Sequence, residues 1–230
     1  MSVERMRNYV AGRWEESVSD RVVPIHNPGT GEQIAETPFS TREEVERVVS
    51  AAKAAYPAWR ETPPVERARC LFRLRALMEE HWDELARVIT LENGKTLAES
   101  RGEVLRSMEN VEVGAGIPSL MMGHNLEDIA RGIDEAAIRQ PIGVFCVVAP
   151  FNFPNMVPFW FLPYAVATGN SYVVKPSDRT PISWSRMMPL IERAGFPEGV
   201  MYSILFMNIF APIIDEIVWS VKYKRRREAA

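Results

Sequence analysis

The stretch Gln140–Asp178 constrains the fold of this chain more than any other part of it. It begins with Gly143–Ala149, an apolar run short enough for a β-strand, without the apolar-polar alternation of a half-exposed strand. After a tight loop, an apolar helix is predicted over 156–168, and Gly169 supplies the left-handed residue that closes it. A second short strand, Ser171–Val174, follows. We therefore predict an α/β fold with a parallel sheet in which the first strand is buried on both faces.

Polar side chains follow each of these two predicted strands. Asn152 comes just after the first, and Lys175 and Asp178 come after the second. Open α/β sheets bind ligands at the carboxyl ends of their strands, so we expect Asn152 and Lys175 to face the same crevice. An asparagine amide there can stabilise an oxyanion, and a lysine near a carboxylate suits ribose hydroxyls or a phosphate. On spacing alone, a helix-capping asparagine and a solvated lysine remain the alternative.

The overall composition excludes several classes of protein. The chain is 47% hydrophobic and 25% charged, as is ordinary for a soluble globular protein. Its formal net charge of −3 argues against binding to nucleic acid or to a membrane surface. The two cysteines, Cys70 and Cys146, support neither a disulfide framework nor a Cys-rich metal site, and we expect no metal. With no apolar signal segment at its start, the chain is expected in the cytoplasm.

The first 123 residues have the pattern of supporting strands and helices. They comprise a hairpin turning at Ala11-Gly12, a strand at Val22–Ile25, and helices beginning near Thr41, Pro63 and Leu97. Thr41 and Glu44 have the spacing of a capping box. The apolar stripe of the first helix is predicted to bury Val45, Val48, Val49, Ala52, Ala55, Tyr56 and Trp59. The second helix is predicted to continue unbroken to Asn93 and to bury Leu71, Phe72, Met78, Trp82, Leu85, Val88 and Ile89.

Three further elements are predicted along the chain. The third helix, about Leu97–Gly114, carries the charged residues Arg101, Glu103, Arg106 and Glu109, typical of a face in contact with solvent. Strands at Leu126–Ala130 and Asp134–Arg139 flank a turn. Thr180 and Pro181 are a suitable N-cap and first residue for a helix that runs to Arg193.

The motif Ala149-Pro150-Phe151-Asn152-Phe153-Pro154, followed by Gly169-Asn170 and Val174-Lys175-Pro176-Ser177-Asp178-Arg179-Thr180-Pro181, resembles the NAD-dependent aldehyde dehydrogenase superfamily. With Pro118-Ser119-Leu120-Met121-Met122-Gly123 upstream, it is similar to the CoA-acylating methylmalonate-semialdehyde dehydrogenase branch. The resemblance covers about residues 8–200. It implies the N-terminal part of that fold: supporting strands and helices over 1–123, an oligomerisation hairpin over 124–140, and an incomplete, Rossmann-like NAD-binding sheet over 141–200.

The resemblance also implies an activity, the NAD-dependent oxidation of methylmalonate or malonate semialdehyde to an acyl-CoA. Asn152 matches the family's oxyanion donor. The positions that match cofactor contacts are Ala149 and Phe151 through backbone atoms, Lys175 and Asp178 at the adenosine ribose, and Arg179 beside them. Arg106 matches an arginine near the substrate carboxylate or CoA, and its guanidinium suits either anion. Asp178 is a departure, because a longer glutamate is usual at that position.

Members of the family are longer than this chain, and their nucleophilic cysteine lies in the part that it does not have. Cys146 is not expected to replace that cysteine, because burial in a strand raises a thiol pKa and keeps the thiol inert. We therefore expect a shortened family member that is able to form a homo-oligomer. Two alternatives remain: an inactive module that pairs with full-length subunits through the hairpin, and a protein anchored in a membrane by its tail.

Residues 201–230 depart from the family pattern. Their apolar run, Met201–Val221, is long enough to cross a bilayer and precedes a basic cluster. Pro212, Asp215 and Glu216 oppose insertion of such a helix. We therefore favour a tail that is unrelated to the family over a membrane anchor.

Overall fold

The computed structural model describes residues 3–197 and 200–203. Its strands are β1 (Glu4–Arg5), β2 (Asn8–Val10), β3 (Arg13–Glu15), β4 (Val22–His26), β5 (Gln33–Pro38), β6 (His124–Ala130), β7 (Ile133–Ala137), β8 (Val144–Val148), β9 (Ser171–Lys175) and β10 (Met201–Ser203). Its helices are α1 (Arg42–Glu61), α2 (Pro64–Glu80), α3 (Trp82–Asn93), α4 (Leu97–Ala115), α5 (Ile117–Leu120), α6 (Met156–Phe159), α7 (Leu162–Ala167) and α8 (Ile182–Arg193).

Within these ranges the strands form three sheets, and the largest has the order β3-β2-β10-β9-β8. The predicted parallel pairing of β8 with β9 is confirmed, in a register that runs from Val144 opposite Ser171 to Val148 opposite Lys175. β10 is parallel to β9 and antiparallel to β2, which joins the N-terminal hairpin to the sheet. Smaller sheets are β1-β5-β4 and the hairpin β6-β7.

The main core lies between the sheet and the helices. Its fully buried side chains include Trp184, Tyr172 and Phe159, which bring together α8, β9 and α6. Trp59 of α1 is also buried, and its indole N–H donates to the carbonyl of Val166 at 2.9 Å. The helices therefore hold the unit from β8 to β9 in one packed body.

Several local predictions are confirmed. Thr41 and Glu44 form both bonds of the capping box, and Glu44 is buried because Ser17 and Val18 also donate to its carboxylate. Gly169, with φ of +93°, follows α7 in the left-handed region that the sequence required of it.

Two predicted helices are each divided in two. The second supporting helix breaks at His81, between α2 and α3, and the apolar helix over 156–168 breaks at Trp160-Phe161, between α6 and α7. Pro163 lies in the first turn of α7. It has no N–H to bond to the carbonyl four residues earlier, which disfavours a continuous helix at this position.

Two residues that the helical stripes predicted to be buried are exposed. Phe72 is 62% exposed although it follows the buried Leu71, and Val49 is exposed although it follows the buried Val48. Consecutive helical residues project about 100° apart, so the neighbour of a core residue can fall on the solvent side.

The expectation that the first strand is buried on both faces is wrong. β8 lies at the edge of its sheet in the described part of the chain, and Cys146 and Val148, on one face of the strand, are exposed. On the other face Val147 is buried, whereas Phe145 near the start of the strand is 38% exposed. An unbroken apolar run is typical of a strand that is packed against other layers on both faces. Over the residues described, the face of β8 that carries Cys146 and Val148 is not covered.

The hairpin β6-β7 lies outside the core. All of its side chains are exposed, including those of Leu126, Ile129 and Ile133. The predicted strand pair is present, although β7 ends at Ala137 rather than Arg139. Its role in oligomerisation stays a prediction.

Part of the predicted tail belongs to the sheet. Met201–Ser203, the start of the apolar run, forms β10, whereas the rest of that run and the basic cluster lie outside the described residues. In the ranges that are described, no helix combines the length and apolarity needed to cross a membrane.

Candidate functional site

The carboxyl ends of β8 and β9 lie side by side. The N–H of Ala149 donates to the carbonyl of Lys175 at 2.9 Å, which extends the strand pairing by one residue. Two polar loops leave the sheet from this edge: one contains Phe151 and Asn152, and the other contains Asp178 and Arg179. This is the edge at which the sequence predicted a ligand site.

Asn152 and Arg106 line the same cavity, which has a volume of about 660 Å³. Its full lining is Lys95, Glu99, Gly102, Glu103, Arg106, Asn152, Phe153 and Met156. Lys175 is not part of this lining. The structure therefore brings the predicted oxyanion donor and the predicted anion-binding arginine into one cavity, whereas Lys175, the last residue of β9, lies outside it.

The side-chain amide of Asn152 makes no hydrogen bond to any described residue, so its N–H donors are available in the cavity. The capping alternative is not what the structure shows. Short helix α6 begins at Met156, and a carboxylate oxygen of Glu103 accepts from the backbone N–H groups of Asn155 and Met156 at 2.8 and 3.1 Å.

Glu103 corrects a sequence prediction. It was assigned to a solvated face of the third helix, yet only 3% of its surface is exposed. Its second carboxylate oxygen pairs with the Lys95 ammonium at 2.5 Å. Glu103 lies on the same buried face of α4 as Ser107 and Val111, but its bonding partner Asn155 is 52 residues away, so no local signal in the sequence indicated its burial.

Arg106 lies on the exposed side of the cavity. Its guanidinium pairs with Glu109 one turn along α4 at 2.8 Å, and both side chains are largely exposed. Such a pair contributes little to stability, and a ligand carboxylate or phosphate can displace it at little cost.

The loop with Phe151 is fixed from α3 and from the loop that follows β9. Asn93 donates to the carbonyl of Phe151 at 2.8 Å, and the Arg179 guanidinium lies 5.6 Å from the centre of the Phe151 ring. The Ser177 hydroxyl accepts from the N–H of Arg179 at 3.2 Å. Phe151 and Arg179, two of the predicted cofactor contacts, thus lie against each other and line a second cavity of about 340 Å³.

Helix α8 is capped by a residue that the sequence did not indicate. Thr180 was predicted as its N-cap, but no side chain of the cap position bonds to the helix. The carboxylate of Glu92 accepts instead from the N–H groups of Ile182 and Ser183, at 2.6 and 2.9 Å. The Thr180 hydroxyl donates to the carbonyl of Phe151 at 3.4 Å.

Lys175 and Asp178 remain close enough to interact electrostatically. Burial lowers the pKa of the Lys175 ammonium, and Asp178 and then Cys146 oppose that shift. Within the described chain the Lys175 ammonium forms no salt bridge. It offers an available cation at the sheet edge, with a carboxylate nearby.

Neither cysteine has the surroundings of a nucleophile. Cys146 is exposed rather than buried, which corrects the prediction, yet removal of water by nearby protein atoms still raises its thiol pKa against the effect of Lys175. Cys70 is buried, and burial raises its pKa although Arg73 opposes the shift. Neither lines the cavity that contains Asn152. Over the described ranges, no group of three or more His, Cys, Asp or Glu side chains could hold a metal ion.

Comparison with known proteins identifies the family. Residues 14–207 match the aldehyde dehydrogenase family. The chain belongs to this family. The match continues past Val200, the predicted end of the resemblance, and it includes β10.

Two curated relatives of this aldehyde dehydrogenase chain are malonate-semialdehyde dehydrogenases. Malonate-semialdehyde dehydrogenase 2 of Geobacillus kaustophilus is 51% identical over 199 residues, and the match covers 86% of this chain and 41% of that protein. The malonate-semialdehyde dehydrogenase of Bacillus pumilus is 49% identical, with the same coverage. The chain thus spans about two fifths of the length of these relatives.

Solved structures agree with the assignment. The methylmalonate-semialdehyde dehydrogenase of Oceanimonas doudoroffii is 39% identical with a TM-score of 0.85, and the match covers 88% of this chain and 41% of that one. A Sinorhizobium meliloti 1021 protein, assigned as a methylmalonate-semialdehyde dehydrogenase and crystallised with NAD, has a TM-score of 0.86 at 34% identity and the same coverage. The fold of this chain is therefore that of the matched part of an aldehyde dehydrogenase.

Proposed function

We propose that this chain forms part of an NAD-dependent, CoA-acylating dehydrogenase of malonate or methylmalonate semialdehyde. One observation carries the proposal: an uncommitted asparagine amide and an arginine line the same cavity at the ligand-binding edge of the sheet. The names of the relatives above supply the substrate class. The exposed β6-β7 hairpin supports assembly into a homo-oligomer.

Asn152 is assigned to the reacting end of the substrate. Attack of a thiolate on an aldehyde carbon turns the carbonyl oxygen into an oxyanion, and an amide N–H donor held in place favours that charge. The donors of Asn152 are not used elsewhere in the described structure. We assign the thiolate to neither Cys70 nor Cys146, since neither lines the cavity.

Arg106 is assigned to the charged end of the substrate. Malonate and methylmalonate semialdehydes carry a carboxylate, which a guanidinium binds through two parallel hydrogen bonds. The exposed pairing with Glu109 leaves this group easy to recruit. A phosphate of CoA is the other anion that Arg106 could bind.

The sheet edge fits NAD as the cofactor. Lys175, without a salt bridge in the described structure, and the nearby Asp178 offer a cation and an acceptor for ribose hydroxyls, and Arg179 lies beside them. The exposed ring of Phe151 and the backbone of Ala149 are the other groups at this sheet edge that we assign to contact with NAD. When bound, NAD supplies the hydride acceptor for the oxidation.

The test is a chimera in which residues 3–203 replace the matched segment of the Geobacillus kaustophilus relative. We expect it to form NADH and an acyl-CoA from malonate semialdehyde, with a preference for this substrate over the uncharged propanal. The unaltered relative is the control. A folded chimera that oxidises propanal as well as malonate semialdehyde would contradict the proposed substrate class.

The two alternative functions gain no support. The exposed β6-β7 hairpin is equally compatible with assembly of the enzyme and with an interaction module, so it does not favour the module. The tail that motivated the membrane anchor lies mostly outside the described residues.

A further inference from the structure

The ammonium of Lys95 contacts Glu103 and the loop that contains Asn152 and Phe153. It pairs with Glu103 at 2.5 Å, donates to the carbonyl of Asn152 at 2.8 Å, and lies 4.5 Å from the centre of the Phe153 ring. Its side chain is 13% exposed and that of Glu103 is 1% exposed. Lys95 is therefore not free to bind a ligand, although it lines the cavity.

Glu103 holds the other end of the same loop. One carboxylate oxygen accepts from the N–H groups of Asn155 and Met156, and the other faces Lys95. The ion pair thus bonds to a backbone carbonyl at Asn152 and to two backbone N–H groups a few residues later. Asn152, whose own side chain is unbonded in the described structure, is the residue whose carbonyl begins this held segment.

The ion pair is suited to fixing a position rather than to adding stability. A buried pair gains little net free energy, because the loss of water around both charges offsets their attraction, but removal of one partner is costly. Bonds from a charged group to a backbone are short and directional. The arrangement therefore restricts the loop to one geometry.

We infer that Lys95 and Glu103 are positioning residues, which hold the loop Phe151–Met156 so that the amide of Asn152 stays in place in the cavity. The catalytic meaning of this role rests on the proposed function. The structural part of the inference does not rest on the proposed function, because it concerns only how firmly the loop is held in this chain.

Hydrogen exchange in the full chain, followed by mass spectrometry, tests the inference. In Lys95→Met we expect the N–H groups of Asn155 and Met156 to exchange about tenfold faster, the scale of one lost bond to a charged group. Lys95→Arg retains the charge and should restore slow exchange. Arg101→Met, which removes an exposed ion pair from α4, the helix that carries Glu103, is the matched control and should leave the loop unchanged.

A second variant keeps the test decisive if Lys95→Met does not fold. Glu103→Gln keeps an oxygen for the two N–H groups but removes the charge that holds Lys95, and we expect faster exchange of the same peptide. Exchange equal to that of Arg101→Met in the folded variants would overturn the inference. Since the readout needs no turnover, that result is distinct from a failure of the proposed function, which the chimera decides.

Discussion

The carboxylate of Glu92, at the end of α3, accepts a hydrogen bond from the backbone N–H of Ser183, in the first turn of α8, at 2.9 Å. A second bond, from Ile182, makes Glu92 the cap of this helix. Asp178 and Arg179 immediately precede α8, so Glu92 fixes the helix that follows the proposed NAD-binding loop. The same end of α3 carries Asn93, which holds the carbonyl of Phe151.

Glu92 gives the fold a defined dependence on pH. Burial raises its pKa from 4.5 to about 7, against the opposing effect of its hydrogen bonds. Between those values the folded chain keeps a proton that the unfolded chain has lost, so the free energy of unfolding falls as the pH rises and levels off above about 7. The loss over this window is on the order of 3 kcal/mol.

Urea denaturation across this pH window measures the effect in wild type and in Glu92→Gln. We expect the free energy of unfolding to fall less with rising pH in Glu92→Gln than in wild type, because the glutamine does not titrate. The difference between the two falls is the contribution of Glu92. Glu127→Gln, in the exposed hairpin, is the control and should retain the wild-type slope. An equal slope in Glu92→Gln would show that this carboxyl does not titrate as described.

Arg106 should determine recognition of a charged substrate. In the chimera, Arg106→Met is expected to raise KM for malonate semialdehyde by about tenfold or more, because a bond between charged groups is lost. KM for propanal should stay the same. Arg101→Met, on the same helix but paired with Asp83, is the matched control. Equal changes for both aldehydes would remove Arg106 from carboxylate recognition.

The unit from β8 to β9 was predictable because its signals are local. Apolar runs of strand length, Gly169 at a left-handed position and the order of the motif are visible within a few dozen residues. The capping box of α1 is equally local, since Thr41 and Glu44 are three residues apart. The types of these features were therefore predicted correctly, and their bounds were predicted nearly correctly.

The buried acids were not predictable, since their partners are remote in sequence. Glu103 bonds to Asn155, which is 52 residues away, and Glu92 bonds to Ser183, which is 91 residues away. A glutamate in a helix is normally solvated, and only the fold shows that these two meet unpaired backbone N–H groups. The exposure of Cys146 was missed for a related reason: the burial of a strand depends on the layers around it.

The central claim is that Asn152 supplies the oxyanion donor, and the rate of Asn152→Ala in the chimera tests it most directly. We expect kcat for malonate semialdehyde to fall by about 100-fold, the usual loss for one such donor, with a much smaller change in KM. Asn110→Ala, a half-buried asparagine of α4 that accepts from the Tyr164 hydroxyl and does not line the cavity, should keep the parent rate. An Asn152→Ala chimera that turns over as fast as its parent would contradict the claim.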